Sequence, residues 1–318
     1  MEKIKVAIAG LGSRGYRAYA NICKEMPYEY EIVAVAEPKA DVTEEFKKDF
    51  QIAENMCFDT AEEMLGKGKL ADVLFLCTLD KMHYKQAIKA MELGYDLLLE
   101  KPISINAQEC KEIANVANRL GRKVVVCHVL RYTPFYQKIK ELIDANKIGD
   151  IVSIQAMEHV CYWHQAHSFV RGNWNNSTTT SPMILQKCCH DMDIYLWLSG
   201  KDCKKVSSFG SLDYFTKKNA PTGAPSQCGD TCPKFETCPF NPWKSYYDEF
   251  EKGYDWPLDV VIPRHDKALL DEALKSGPYG KCVFKCENNV VDHQVLIMEL
   301  EDGSTIDFQM CGLTGNYG

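Results

Sequence analysis

The stretch Val6-Ala7-Ile8-Ala9-Gly10-Leu11-Gly12-Ser13-Arg14-Gly15 decides how the first half of the chain is read. An unbroken apolar run of this length is what a strand needs when both faces of its sheet are covered. Gly10, Gly12 and Gly15 follow in a G-x-G-x-x-G spacing, where the strand gives way to a helix over Ser13–Met26 that is closed by Pro27. In that context each glycine has a mechanical purpose. Gly10 makes the tight turn, Gly12 lets a pyrophosphate approach the backbone, and Gly15 lets the helix pack closely on the strand. The helix start at Ser13 and Arg14 turns free N–H groups and a positive dipole end toward phosphate. Glu37 stands at the end of the second strand, 22 positions beyond Gly15, where an acid accepts from the adenosine ribose hydroxyls. It would repel a 2′-phosphate, which favours NAD over NADP, although Lys39 weakens that preference.

Outward from this stretch, strand and helix signals alternate. Strands are expected at Lys5–Ala9, Ile32–Ala36, Val73–Cys77, Asp96–Leu99 and Lys123–Val126. Helices are expected at Thr43–Asp49 (Thr43 or Asp41 as cap), Ala61–Leu65, Lys81–Leu93 closed by Gly94, and Ala107–Leu120 closed by Gly121. This is the pattern of right-handed βαβ units in a doubly wound parallel sheet, a Rossmann domain over residues 1–127. The pattern changes after His128. A helix over Pro134–Asn146 ends near Gly149, Ile151–Tyr162 alternates like a half-exposed strand, and Ile184–Leu198 reads as a helix ending at Gly200. Ala268–Leu274 is helical, and Val290–Leu300 and Ser304–Met310 flank a turn at Glu301-Asp302-Gly303. Residues 128–318 thus read as an α+β domain with a largely antiparallel sheet, interrupted by a Cys- and Pro-rich insertion at 216–245.

Composition agrees with a globular enzyme: 318 residues, 46% hydrophobic, 25% charged, net charge −7. No basic block favours nucleic acid. No run approaches the ~20 apolar residues of a membrane span. The apolar run at Val6 is too short for a signal-peptide core, so a cytoplasmic location is expected. Fifteen cysteines, an odd number scattered through strands and helices, argue against a secreted disulfide scaffold.

Further motifs fall in order: Thr78-Leu79-Asp80-Lys81-Met82-His83 and Glu100-Lys101-Pro102 after successive strands, His128-Val129-Leu130-Arg131-Tyr132-Thr133-Pro134 before the long helix, and Gln186–Asp193. Together with Gly10–Gly15 they resemble the glucose–fructose oxidoreductase / inositol dehydrogenase / rhizopine-catabolism (Gfo/Idh/MocA) family over nearly the whole chain. The resemblance implies hydride transfer between a nicotinamide and a carbon of a sugar, inositol or related polyol. It places Thr78, Asp80, His83 and Arg131 along the cofactor, Glu100 and Lys101 beside the nicotinamide, and Tyr132 and His190 at the substrate. It also implies a homo-oligomer, a dimer or tetramer, built on the open sheet face. Further strands usually follow a segment like Ser304–Met310, so a chain stopping at Gly315-Asn316-Tyr317-Gly318 is expected to be truncated or minimal.

The chemistry supports these roles separately. Oxidising a secondary alcohol removes a hydroxyl proton, and a histidine or a lysine of lowered pKa suits that task. Lys101, just past a strand's C-terminal end, would also stabilise a developing alkoxide. On a continuous helix, Gln186, His190 and Asp193 share one face, with Lys187 and Asp191 on the adjoining stripe. This reads as the substrate face, with His190 as acid/base and Lys187 and Asp193 as orienting groups. One departure stands out. The position four before this histidine is commonly Asp in inositol dehydrogenase-like members and Tyr in the glucose–fructose branch; here it is Gln186, which relays no proton, and Lys187 is the neighbouring candidate for part of that role. Tyr162, Trp163, His164, His167, Trp174 and Asn175 are expected to line a carbohydrate cleft, a lid or an oligomer contact.

Cys228, Cys232 and Cys238 form C-x3-C-x5-C, and Cys282 and Cys286 repeat the shorter spacing. A structural zinc site, redox-labile thiols or a disulfide, and plain packing all remain open. Three functions remain open as well. One is an NAD-dependent sugar or inositol dehydrogenase. Another is a glycoside-cleaving enzyme that recycles NAD through a transient keto-sugar. The last is an NAD-binding sensor without catalysis.

Overall fold

The computed structural model describes residues 2–253 and 256–315. Asn316–Gly318, on which the expectation of a shortened C-terminus rests, lie outside the described residues. The chain divides into two compact units, Met1–Cys127 with Gly253–His265, and His128–Lys252 with Asp266–Gly318. The short segment 253–265, which the sequence reading gave to the second domain, belongs with the first.

The first unit is built on strands β1 (Ile4–Ala9), β2 (Tyr30–Ala36), β3 (Cys57–Phe58), β4 (Val73–Leu76), β5 (Asp96–Leu99) and β6 (Val124–Val126). Their order is β3-β2-β1-β4-β5-β6, and every pairing is parallel. This is the doubly wound Rossmann sheet. The unbroken apolar run of β1 now has its reason. Val6 and Ile8 pack on one face with Tyr16, Ala20, Cys23 and Phe46, while Ala7 and Ala9 pack on the other with Met64, Met91 and Leu97. The first helix is wound in wide π turns over Ser13–Ala20 and continues as Asn21–Glu25. The helix expected at Thr43 starts earlier and covers Ala40–Phe50, and neither Asp41 nor Thr43 caps it. Thr60 and Asn106 do cap theirs, accepting from the N–H groups of Glu63 and Gln108.

The second unit holds strands β7 (Ser153–Cys161), β8 (Cys203–Ser211), β9 (His293–Leu300) and β10 (Thr305–Thr314), in the order β7-β10-β9-β8. The β10–β9 and β9–β8 pairings are antiparallel and β10–β7 is parallel. One face is buried: Leu296, Met298, Leu300, Ile306, Phe308 and Met310 meet Ile194, Tyr195 and Leu198 of the helix Cys189–Ser199. The alternation of buried and exposed residues along β9 and β10 is the period-2 signal of a half-covered sheet. The expected continuous helix Ile184–Leu198 is broken. Met183–Gln186 ends at Lys187, and a new helix starts at Cys189.

The 216–245 insertion carries the one-turn helix Lys217–Asn219, further turns and a single antiparallel bridge from Gln227 to Lys281 before the helix Pro242–Lys252 begins inside it. Apolar packing holds it, with Phe215, Phe240, Val283 and Phe284 in one cluster. The buried Arg171 guanidinium adds hydrogen bonds to the Lys281 carbonyl at 2.8 Å and the Phe240 carbonyl at 2.7 Å. The expectation of a metal centre on Cys228, Cys232 and Cys238 is corrected here. Among the described residues no three His, Cys, Asp or Glu side chains are placed to hold a metal ion, and the cysteines are free thiols. Burial first, with Cys238, Cys232 and Cys282 adding to it against Arg171, pushes the Cys228 thiol up to about 11, and the four cysteines line one small cavity. No helix among the described residues is long and apolar enough to cross a membrane.

Candidate functional site

In the first unit the glycines take the positions the spacing asks of them. Gly10 has φ +88°, and a Cβ there would come within 2.5 Å of the Cys77 carbonyl oxygen. A Cβ on Gly15 would sit 2.0 Å from the Gly10 oxygen. At Gly12 a Cβ would meet nothing within 4 Å, so this residue is open to an approaching group. Glu37 closes the turn: its Oε2 accepts the Leu11 N–H at 2.8 Å and its Oε1 the Lys39 N–H at 3.1 Å. A carboxylate oxygen has a second lone-pair direction, so Glu37 keeps acceptor capacity for a ribose hydroxyl. The turn therefore fits a dinucleotide: an open glycine, the helix start at Ser13, and a carboxylate at the strand end.

Glu100 is the centre of a buried network. Its Oε1 accepts from Arg14 Nε at 2.9 Å and from the Tyr19 hydroxyl at 2.6 Å, and its Oε2 accepts the Lys101 N–H at 3.0 Å. Burial opposes its charge, but the bonds from Tyr19 and Arg14 and the charges of Arg14 and Lys101 hold it below the ordinary carboxylate range. Burial likewise works against the Arg14 charge, and Glu100 overcomes it. Glu100 thus fixes the turn that carries Lys101. His83 does similar work. It is 1% exposed, with Nδ1 2.9 Å from the Pro102 carbonyl and Nε2 2.9 Å from the Thr78 carbonyl. It ties the loop after β4 to the loop after β5. Thr78 donates its hydroxyl to Gln86 at 2.6 Å, and Asp80 is buried. Both ring nitrogens of His83 meet backbone carbonyls, so in this structure it positions the loops that were expected to line a cofactor.

In the second unit the centre is Asp193. Arg131 binds it bidentately, Nε and Nη2 each 2.6 Å from a carboxylate oxygen, and His128 Nδ1 lies 3.9 Å away. The expectations of a cofactor contact for Arg131 and an orienting role for Asp193 meet this pairing, which engages both. The His190 ring faces the His128 ring edge-on, with centroids 6.0 Å apart. Lys187 pairs with Glu158 of β7 at 2.8 Å, and Asp191 is 6% exposed beside them. Glu158 was missed by sequence reading, since one acid in an alternating strand carries no signal of its own. Gln186 is buried at the end of its short helix, before the break at Lys187 that separates it from the helix carrying His190 and Asp193.

The aromatic residues divide. Tyr132 is 70% exposed, whereas Tyr162 packs on Phe240 and Trp174 packs into the sheet core beside Phe169. His164 lies against Trp163 and Phe169. His167 is 3% exposed, accepts from or donates to the Tyr246 hydroxyl at 2.7 Å and stacks on Tyr279. Burial, then the positive charges of His164 and Arg171, lower its pKa to about 3, so it is a neutral core residue.

Comparison with known proteins follows the same division. Residues 4–128 match the profile of an oxidoreductase family with an NAD-binding Rossmann fold, and residues 140–315 match the C-terminal alpha/beta domain of the same family. The putative oxidoreductase YteT of Bacillus subtilis is 25% identical over 96% of this chain and 71% of its own length. A scyllo-inositol 2-dehydrogenase (NAD(+)) of the same organism is 25% identical over 66% of this chain; the alignment covers 58% of that protein. A crystal structure of scyllo-inositol dehydrogenase from Lactobacillus casei with bound NAD(H) and scyllo-inositol has a TM-score of 0.64 at 19% identity, covering 98% of this chain and 71% of that one, which is a likeness of fold. With a glycine turn that fits the cofactor and both family domains matched in order, the chain belongs to the Gfo/Idh/MocA oxidoreductase family.

Proposed function

We propose that this oxidoreductase uses NAD to oxidise or reduce a secondary alcohol carbon of a sugar, inositol or related polyol. The observation that carries the reading is the glycine turn open at Gly12 and closed by Glu37. The acid at the strand end favours NAD over the 2′-phosphorylated cofactor. The nicotinamide, when bound, supplies the two-electron acceptor. In the first unit Gly10, Gly12, Ser13 and Gly15 hold the pyrophosphate, Glu37 the ribose, and Lys101 steadies negative charge on the reacting oxygen. Arg14, Tyr19 and Glu100 keep the Lys101 turn in place. In the second unit His190 handles the hydroxyl proton, and the Arg131–Asp193 pair fixes the helix that carries it. Tyr132 and His164 contribute to carbohydrate recognition, and a homo-oligomer and a cytoplasmic location accompany the reading.

The test is incubation of the purified protein with NAD and a panel of inositols, free sugars, sugar acids and aryl glycosides, followed at 340 nm and by mass spectrometry. Substrate-dependent NADH accumulation supports the reading and names the substrate. NAD-dependent glycoside cleavage without net NADH replaces it with the recycled-cofactor reaction. NAD binding without any turnover across the panel refutes it in favour of a sensor.

A further inference from the structure

At one end of the β8–β9 pair three polar side chains are linked in series. Ser211 is the last residue of β8 and His293 the first of β9, and they stand opposite each other in the antiparallel register. Ser211 Oγ lies 3.2 Å from His293 Nε2, and His293 Nδ1 lies 2.8 Å from Asp292 Oδ1. Asp292 is wholly buried, and its Oδ2 accepts the N–H groups of Asp213 at 3.0 Å, Tyr214 at 2.7 Å and Phe215 at 3.4 Å. Oδ2 alone fastens that segment, which leaves Oδ1 for the histidine. A carboxylate only accepts, so Nδ1 carries the ring proton; when the ring is neutral, Nε2 is an acceptor and the Ser211 hydroxyl donates to it. A hydroxyl within about 2.6–3.2 Å of a base that a third group orients is the arrangement of an activated nucleophile. Ser211 is exposed and the His293 side chain keeps 46% of its exposure, so the oxygen and its base can be reached from solvent.

We propose that Ser211 is an activated nucleophile, with His293 as its general base and Asp292 orienting that base, and that it takes an acyl group from activated esters, aryl esters of short carboxylic acids. The proposal is independent of the oxidoreductase reading, since neither the cofactor nor any residue assigned to that reaction takes part. The step balances. Ser211 Oγ attacks the ester carbonyl carbon while its proton passes to His293 Nε2. The Oγ–acyl bond forms, the bond to the aryl oxygen breaks with its electron pair on that oxygen, and the His293 proton goes to the leaving phenolate. Water, attacking in the same way with His293 as base, then releases the carboxylic acid and returns the serine. The trio supplies a base and its orienting acid, and activation of the carbonyl is left to the ester itself. A good leaving group is therefore required, which selects activated esters over amides. The open position of Ser211 and His293 admits a small acyl group directly from solvent.

The test uses the full chain and p-nitrophenyl acetate, with no NAD present. Nitrophenolate release is followed by absorbance, and the acetylated peptide is located by mass spectrometry. An acetyl group should appear on Ser211, and Ser211→Ala should remove that modification and the accompanying burst of nitrophenolate. His293→Gln removes the base and should slow acylation by about a hundredfold or more. Asp292→Asn keeps an oxygen for the three amides but turns an N–H toward Nδ1. The ring proton then moves to Nε2, and acylation should fall at least as far. Circular dichroism shows whether each variant is folded; if Asp292→Asn is not, His293→Gln, altered at an exposed side chain, decides. A purely structural trio would change stability in these variants without changing a covalent label. Cys311 stands opposite His293 on β10, so the position of the acetyl group is part of the result. Acetylation of Cys311 or of lysines with Ser211 unmodified overturns the proposal, and so does acylation of Ser211 at the wild-type rate in His293→Gln.

Discussion

Replacing Gly12 by alanine separates cofactor binding from folding. Gly12 has φ −75° and ψ −166°, ordinary extended backbone, and its added methyl meets no protein atom within 4 Å. At such a position Gly→Ala is expected to stabilise the fold by about 0.4–1 kcal/mol, because the unfolded chain loses freedom. The same methyl occupies the path by which a pyrophosphate reaches the N–H groups of the helix start. Losing one charge-assisted hydrogen bond there costs roughly 2–3 kcal/mol, a rise of about 30- to 150-fold in the NAD Kd. Calorimetry measures both quantities on one preparation: scanning for Tm, titration for Kd. Gly15→Ala is the contrast, since its Cβ would stand 2.0 Å from the Gly10 oxygen and 3.2 Å from Ile8 Cγ2. That clash is with backbone, so Gly15→Ala should lose Tm and NAD binding together. An unchanged Kd in Gly12→Ala would refute the placement of the pyrophosphate. A fall in Tm with it would refute the separation of the two glycine roles.

Lys101→Ala should lower turnover by roughly two or more orders of magnitude with NAD affinity within a few-fold, read from steady-state kinetics and titration. His167 gives a pH signature of stability. Its folded pKa of about 3 lies below the ordinary 6.5, so the unfolded chain binds the extra proton and stability is lost as pH falls from 6.5 toward 3. At pH 5 the loss from this residue is about 2 kcal/mol relative to pH 8, and denaturant titrations of His167→Phe should show a correspondingly flatter pH dependence. Asp292 is fully buried and its Oδ2 accepts the N–H groups of Asp213, Tyr214 and Phe215. Asp292→Ala should cost about 2–4 kcal/mol and speed hydrogen exchange at those amides first. Arg131→Met leaves Asp193 without its bidentate partner and should destabilise by about 2–3 kcal/mol, with thermal unfolding as the readout.

The Rossmann unit was legible because its signals are local and redundant. A four-residue apolar run, a glycine spacing and a helix start agree over Val6–Gly15, and the βαβ rhythm repeats them. β3 was not legible: two residues, Cys57 and Phe58, are too few to show any period. β8 was hidden for another reason. Lys204, Lys205, Ser207, Ser208 and Ser211 make it an exposed polar edge strand, so the buried face that creates alternation is missing. The helix expected over Ile184–Leu198 failed at Lys187. Its periodicity runs through the break, but Lys187 is drawn to Glu158, a residue 29 positions back in the chain, and no helical pattern encodes that pull. In the site, the motif residues were found and their partners were not. Glu100 was marked by E-K-P, yet the Tyr19 hydroxyl that bonds it lies 81 positions away.

The acids of this chain are distinguished by the donors around them. Glu37 receives two backbone N–H groups, Asp193 a guanidinium fork, and Asp292 three backbone N–H groups, so each fastens one segment to another. Glu100 belongs with them, and its three donors outweigh burial to hold it ionised. Asp191 is in the opposite condition: it is buried, and burial and the charge of Glu158, itself paired with Lys187 at 2.8 Å, push it up to about 7. Residue type cannot separate these classes, because Asp191 and Asp193 stand two positions apart on one helix and look alike in sequence. What separates them is which neighbour reaches each: a bidentate arginine from the segment before the long helix, or a second acid from a strand.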